Sequence, residues 1–289
     1  MTSASNEVLQ ERIQSLELEL ATLRNADQQL DGTAEPPFSA SGNTTTFPSH
    51  QLLLLTDSAL PLGSFAFSSG LESYQAHHSH IHNAQQTTLY NFMHMSILSL
   101  ASTTLPYLVA AFRHPDRLKV LDDELDACLL CPVARRASIS QGKALLTVWE
   151  RSFARQAERS CAKVALQEFS TAIKASASFE NDHGHPILHA HFAIIFSVVS
   201  LALGLSLRET AYTYLLNHTK AVASAAVRAS VVGPYAAQSL LASKWMKTEI
   251  QDALEREWDK DVEHAGQTVP ALDVWIGRHE LLYSRIFNS

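Results

Sequence analysis

The chain is predicted to be all-α: a single multi-helix domain of about eight to ten helices, preceded by a coiled-coil-like helix and a flexible linker. Three observations carry this expectation. Apolar residues recur at three- and four-residue spacing almost everywhere from residue 51 onward. Asn-Gly hairpin signals and sustained period-two alternation are both absent. Pro106, Pro115, Pro132, Pro186 and Pro234 fall mostly at the boundaries of the periodic segments.

The first element spans residues 1–30. Leu9, Ile13, Leu16, Leu20, Leu23 and Leu30 follow the 4-3-4-3-7 seam of a coiled coil, with Asp27 at one seam position. Such a helix either pairs or stays solvated. Residues 31–50, "DGTAEPPFSASGNTTTFPSH", are rich in Ser, Thr, Pro and Gly without periodicity and are expected to form a flexible linker. The folded domain, 51–289, is expected to begin near Gln51 and to include a C-terminal partner-binding tail. Its helical segments are predicted near 51–57, 69–80, 84–112, 115–130, 134–178, 188–203, 207–231 and 235–263.

Composition bounds the class. With 289 residues, 46% hydrophobic and 18% charged, the chain is long enough for a full core. A net charge of -7 gives no electrostatic reason for nucleic-acid binding. The N-terminus lacks a basic region followed by an apolar one, so no secretory signal is expected. The apolar run "AIIFSVVSLALGL" (193–205) is too short for a bilayer and is expected to be a buried core helix, with no membrane partner. Three cysteines argue for a reducing compartment, and a cytoplasmic location is expected.

Several clusters bear on chemistry. "HHSHIH" offers His77, His78, His80 and His82, and "DHGHPILHAH" offers Asp182, His183, His185, His189 and His191. Imidazoles ligate nickel, copper and zinc. His77, His80, His183 and His185 are therefore weak metal candidates, against solvated tracts that bind metal adventitiously. "CLLC" (Cys128, Cys131) has redox or half-zinc-site spacing but no second pair, and buried small side chains explain it as well. GxSxG, P-loop, GxGxxG and HExxH motifs are missing, so no catalytic residues are predicted and the chain is not expected to be an enzyme.

Three stretches look like contact surfaces instead. In "DSALPLGSFAFSSGLESY" (57–74), Pro61 and Gly63 supply a turn, Phe65 and Phe67 an apolar anchor, Ser68 or Ser69 a helix cap. Glu72 is expected to be presented outward to a partner from the next helix's first turn. Asn217, Lys220, Ser224 and Arg228 form one polar stripe along an otherwise Ala/Val helix, either solvated or a docking face. The C-terminus, 270–289, interleaves aromatic residues with arginine, the composition of interface hot spots. It folds back on its own core or orders on a partner.

"LLLLTDSALPLGSFAFSSGLES", "ARRASISQGKALL", "HFAIIFSVVSLALGLS", "AVASAAVR" and "RHELLYSRIFNS" occur in this order from about residue 51 to the end. Together they resemble the UreF family of urease accessory proteins, in a eukaryotic, fungal-type form with an N-terminal extension outside the match. The resemblance implies an all-α protein without catalysis of its own that dimerises and binds UreD (also called UreH). The complex then recruits the GTPase UreG, and the assembly delivers nickel to apo-urease. No cofactor is implied beyond transient nickel.

Residue by residue, Gly63, Phe65, Ser68, Gly70, Leu71 and Glu72 match the family's N-terminal motif. Lys220, Ser224 and Arg228 fall in the segment associated with the GTPase-facing surface. Arg278, His279, Glu280, Tyr283, Arg285 and Phe287 match the C-terminal motif, implying order against UreD. Ser197 departs from the resemblance, which implies a Gly there, and puts local helix packing in question. The leading expectation is a scaffold for nickel insertion. The alternatives are a catalytic regulator of GTP hydrolysis by UreG, through Arg228, Arg278 or Arg285, and a histidine-based nickel-binding module.

Overall fold

A computed structural model describes residues 49–78, 85–178 and 188–288 of the chain. The predicted heptad helix and all but the last two residues of the predicted linker lie outside them. Eleven α-helices and no strand occur among the described residues. They are α1 (His50–Thr56), α2 (Leu71–His78), α3 (Gln85–Arg113), α4 (Leu118–Cys128), α5 (Pro132–Val148), α6 (Cys161–Ser178), α7 (Phe192–Ala202), α8 (Leu207–Arg228), α9 (Pro234–Leu241), α10 (Lys244–Glu257) and α11 (Pro270–Arg278).

Local chemistry sets most boundaries. Ser49 caps α1 by accepting from Leu52 N, and Ser243 caps α10 by accepting from Met246 N. Ser206 and Glu209 form a reciprocal capping box at the start of α8. Pro132, Pro234 and Pro270 open α5, α9 and α11, where a missing N–H costs nothing.

Two predicted long helices divide. The stretch 134–178 breaks at a π-helical turn, Trp149–Phe153. There Trp149 stays in the core while Glu150 accepts hydrogen bonds from Ser170 and Lys174 of α6. The stretch 235–263 breaks at Ser243, whose hydroxyl donates to Leu240 O of α9 and accepts from α10. The C-terminal tail contains a helix that the sequence reading did not assign, α11, with Leu272 and Ile276 buried.

Helix α7 runs through the centre, packed by α3, α4, α5, α6 and α8. It is apolar all round, as a helix buried on every side must be, and this is the core helix expected from 193–205. Ser197, where the resemblance implies Gly, is fully buried and donates to Leu108 O of α3 at 2.6 Å. The hydroxyl is therefore satisfied, and the α3–α7 packing is intact.

Helix α3 is long and apolar enough to cross a membrane by length and composition, but it is mostly buried inside the domain. Pro106 sits within it and leaves Ser102 O without its helical donor. Gly266 N fills the vacancy at 3.0 Å, and Thr268 hydrogen-bonds the Ser102 hydroxyl. This stitches the segment before α11 to the core.

The entry to α7 is pinned by charge. Asp122 lies on the buried face of α4 with Leu118, Leu121 and Leu125. Its carboxylate accepts the N–H groups of His189 (2.6 Å), Ala190 (3.1 Å) and His191 (2.7 Å), next to the positive end of the α7 dipole. Gly142 of α5 lies beneath Ala190, and a Cβ there would stand 1.8 Å from the Ala190 carbonyl oxygen. The glycine is what lets α5 approach this turn.

Candidate functional site

The 57–74 corner and the C-terminal tail, far apart in sequence, meet around one carboxylate. Ser69 and Gly70 both take positive φ, 53° and 88°, turning the chain sharply into α2. Gly70 is also the floor on which α11 rests, since a Cβ there would come 2.7 Å from Ile276 Cγ1. The turn sets Glu72 in the first turn of α2, with Ser68 Oγ accepting from its N–H.

Glu72 does not project toward a partner. Its side chain is 12% exposed and grips the tail. One carboxylate oxygen accepts Ile286 N at 2.7 Å, and the other accepts His279 Nε2 at 2.9 Å and Phe287 N at 3.2 Å. The expectation of an outward Glu72 is thus corrected. Two backbone N–H groups and a buried imidazole replace the water that this carboxylate loses on burial.

More contacts close this clasp. Asn288 N donates to Ala66 O, and the Arg228 guanidinium stands 4.5 Å from the centre of the buried Phe287 ring. Burial pulls the Arg228 pKa down from its ordinary value. Arg136 of α5 pairs with Glu280 at 2.6 Å. Trp275 of α11 packs edge-on against Tyr74, beside His77, with Arg278 6.0 Å from its ring.

The polar stripe of α8 joins both ends of this region. Asn217 Nδ2 donates to Leu55 O at 2.9 Å, and Lys220 Nζ donates to Thr56 O. The two residues thereby cap the C-terminus of α1, where a cation suits the helix dipole. Ser224 is exposed midway, and Arg228 reaches the tail. The stripe is thus largely engaged inside the fold. Beneath it lies a cavity of about 830 Å³, lined among others by Leu55, Phe65, Ser138, Tyr214, Lys220 and Arg228.

The outer surface of the clasp is apolar and cationic. Phe65 is 68% exposed, Ile286 63%, and Leu281 and Tyr283 still more. Arg278 and Arg285 are exposed beside them. Ser68, Gly70, Glu72, His279 and Phe287 form the interior of the clasp, the exposed Arg228 covers Phe287 from its edge, and Phe65, Arg278, Tyr283 and Arg285 form its outside. Gly63 stands at the corner with φ 69°, and Lys220 and Ser224 lie further along α8.

Of the metal candidates, His77 bonds Ser73 O at 2.7 Å and packs 5.0 Å from Trp275. His80, His183 and His185 lie outside the described residues. No group of three His, Cys, Asp or Glu side chains arranged to hold a metal occurs among the described residues. Cys128 and Cys131 are free thiols at the α4–α5 junction.

Sequence reasoning missed the roles of Arg136, Trp275 and Asp122. The first two act across long separations that leave no local signal. Asp122 was detectable, because it interrupts the apolar face formed by residues 118, 121 and 125.

The sequence model of the UreF family matches residues 83–243. The chain is 34% identical over 240 residues to an uncharacterized UreF-like urease accessory protein of Schizosaccharomyces pombe, covering 83% of this chain and 97% of that one. It is 32% identical over 256 residues to urease accessory protein F of Oryza sativa subsp. indica, covering 88% and 89%. It is 27% identical over 246 residues to urease accessory protein UreF of Actinobacillus pleuropneumoniae, covering 82% and 97%. The chain belongs to the UreF family of urease accessory proteins.

Proposed function

We propose that this protein is a non-catalytic scaffold in urease maturation, the role its family membership supports. It binds UreD through the outside of the clasp, dimerises and recruits UreG, so that nickel, as cargo, reaches apo-urease in the cytoplasm. One observation carries the reading. The two terminal motifs, 63–72 and 278–287, are drawn together by Glu72 into a single ordered patch that exposes Phe65, Tyr283, Ile286 and Arg285. Exposed aromatic residues beside arginine on a rigid support have the chemistry of a protein-binding hot spot.

Size-exclusion chromatography with light scattering, on the chain alone and mixed with UreD and UreG, tests this directly. A dimer that takes up UreD and then UreG is expected. A Tyr283→Ala, Ile286→Ala double variant keeps its helical content and loses UreD. Recovery of neither partner by the wild-type chain would refute the scaffold.

A further inference from the structure

The cavity beneath α8 has a mostly hydrocarbon wall, with Leu55, Leu62, Phe67, Leu100, Phe192 and Val227 in it. Most polar groups among its lining residues are already engaged inside the fold. Thr103 and Thr104 donate to the carbonyls of Ser99 and Leu100, Gln141 Nε2 to Ala137 O, and Asn217 Nδ2 to Leu55 O. The Ser138 hydroxyl lies between His191 and Phe192 N, and His218 is bonded to Ser96.

The charged groups of the wall are Asp57, Lys220, Arg228 and Asp273. Lys220 donates to Thr56 O, the Asp57 carboxylate accepts Ala59 N, and that of Asp273 accepts Gln267 Nε2. Arg228 is the exception. Its Nε–H reaches only Ser224 O, at 3.4 Å, and the Phe287 ring lies against its guanidinium. Among the described residues no carboxylate pairs with it, and burial lowers its pKa with no neighbouring charge to offset the effect. Its terminal N–H donors therefore stand at the edge of the cavity, exposed and without an acceptor among the described residues. Phe65 and Leu130, 68% and 81% exposed, also line the cavity, so its apolar wall continues out to solvent.

We propose that this cavity binds a free medium-chain fatty acid, with its hydrocarbon chain inside and its carboxylate on the Arg228 guanidinium at the edge. Each part of such a ligand meets an observed feature. The chain leaves water for a wall that has few free polar groups to desolvate. The carboxylate fits the planar fork of an arginine, and the Phe287 ring holds the plane of that fork. Because Arg228 is exposed, the head stays near water and no isolated charge is buried. An uncharged lipid would leave the guanidinium unpaired, and a compact polar metabolite would find no free donors deeper in. The volume of about 830 Å³ lies within the range that small-molecule ligands fill. Binding needs no partner protein and is read on the chain alone.

The test is a titration of the full chain with dansyl-labelled undecanoate, followed by displacement with fatty acids held below their micelle concentrations. A saturable rise and blue shift of dansyl fluorescence is expected, reversed by dodecanoate. Affinity should rise about fourfold for each methylene added from octanoate to dodecanoate. Dodecanol, which has the chain without the charge, should bind on the order of 10-fold more weakly. Arg228→Gln should lower dodecanoate affinity to that of dodecanol and leave dodecanol unchanged, a split that loss of folding would not produce. Arg228→Lys should recover part of the loss. Ala137→Leu, which fills the cavity from α5, should weaken both ligands. Absence of saturable binding by the natively folded chain, equal affinity for dodecanoate and dodecanol, or undiminished binding by Ala137→Leu overturns the proposal. Co-sedimentation with phosphatidylglycerol vesicles without uptake of dodecanoate would assign the surface to a membrane. Displacement of the probe by an acidic peptide but not by dodecanoate would assign it to a protein, and either result overturns the fatty-acid site.

Discussion

At the scale of single residues, Glu72 and Gly142 act through geometry rather than reactivity. Glu72 ties the backbone of the last residues to α2, and it is the bonded partner of the buried His279, whose Nδ1 has none among the described residues. Glu72→Ala should therefore leave the helical content intact and weaken tail closure by about 2 kcal/mol, a roughly 30-fold rise in opening. Hydrogen exchange at the amides of Ile286 and Phe287 reads this directly, and unchanged protection there would contradict it. Gly142 is a different case, because the atom in the way is backbone. Gly142→Ala should cost about 3 kcal/mol, the upper end for overpacking, measurable as a lower denaturant midpoint. Full stability of this variant would show that α5 and the α7 entry separate easily.

At the scale of elements, the tail divides into two parts with different duties. Helix α11 belongs to the core through Leu272 and Ile276 and rests on Gly70. The segment after it is held by Glu72, Ala66 and Arg228, and through Glu280 by Arg136 of α5. Removing residues 282–289 should thus leave circular dichroism and cooperative melting nearly unchanged while abolishing UreD binding. Removing the last 20 residues takes α11 as well and should lower the melting temperature by several degrees. Equal melting of both truncations would place α11 outside the core. Helix α8 shows the same division of labour along one face. Lys220 and Asn217 serve α1, and Arg228 serves the tail. Lys220→Glu should accordingly loosen α1, seen as faster proteolysis near residue 56, besides weakening UreG recruitment. Loss of UreG with α1 undisturbed would assign Lys220 to the partner alone.

At the scale of the whole molecule, acid is the condition to which the domain responds. His218 is partly buried and hydrogen-bonded to Ser96, and desolvation by burial pushes its pKa down to about 4. The unfolded chain binds a proton near pH 6.5, so it takes up more protons than the native state between these values. Stability is therefore complete above about pH 6.5 and falls as pH drops toward 4, by about 3 kcal/mol from His218 alone. His191 adds in the same direction. Asp126, kept below its ordinary value by Arg135 and His191 against the opposing effect of burial, extends the loss to lower pH. Thermal melts from pH 7 to 4.5 should show this slope, and His218→Gln should flatten it. A melting temperature independent of pH would contradict the neutral buried imidazole. The sequence by itself determined the helical class, the central apolar helix α7 and most helix ends, because these depend on residues three or four positions apart, on caps and on prolines. It also marked the two terminal motifs and the α8 stripe as special. Only the tertiary structure decided that Glu72 faces inward, that the stripe caps α1 and holds Phe287, and that Ser138, His191 and Asp126 form one hydrogen-bonded chain. Those facts depend on contacts between residues from 53 to 215 positions apart. Local periodicity carries no information about which distant carboxylate a buried donor will find.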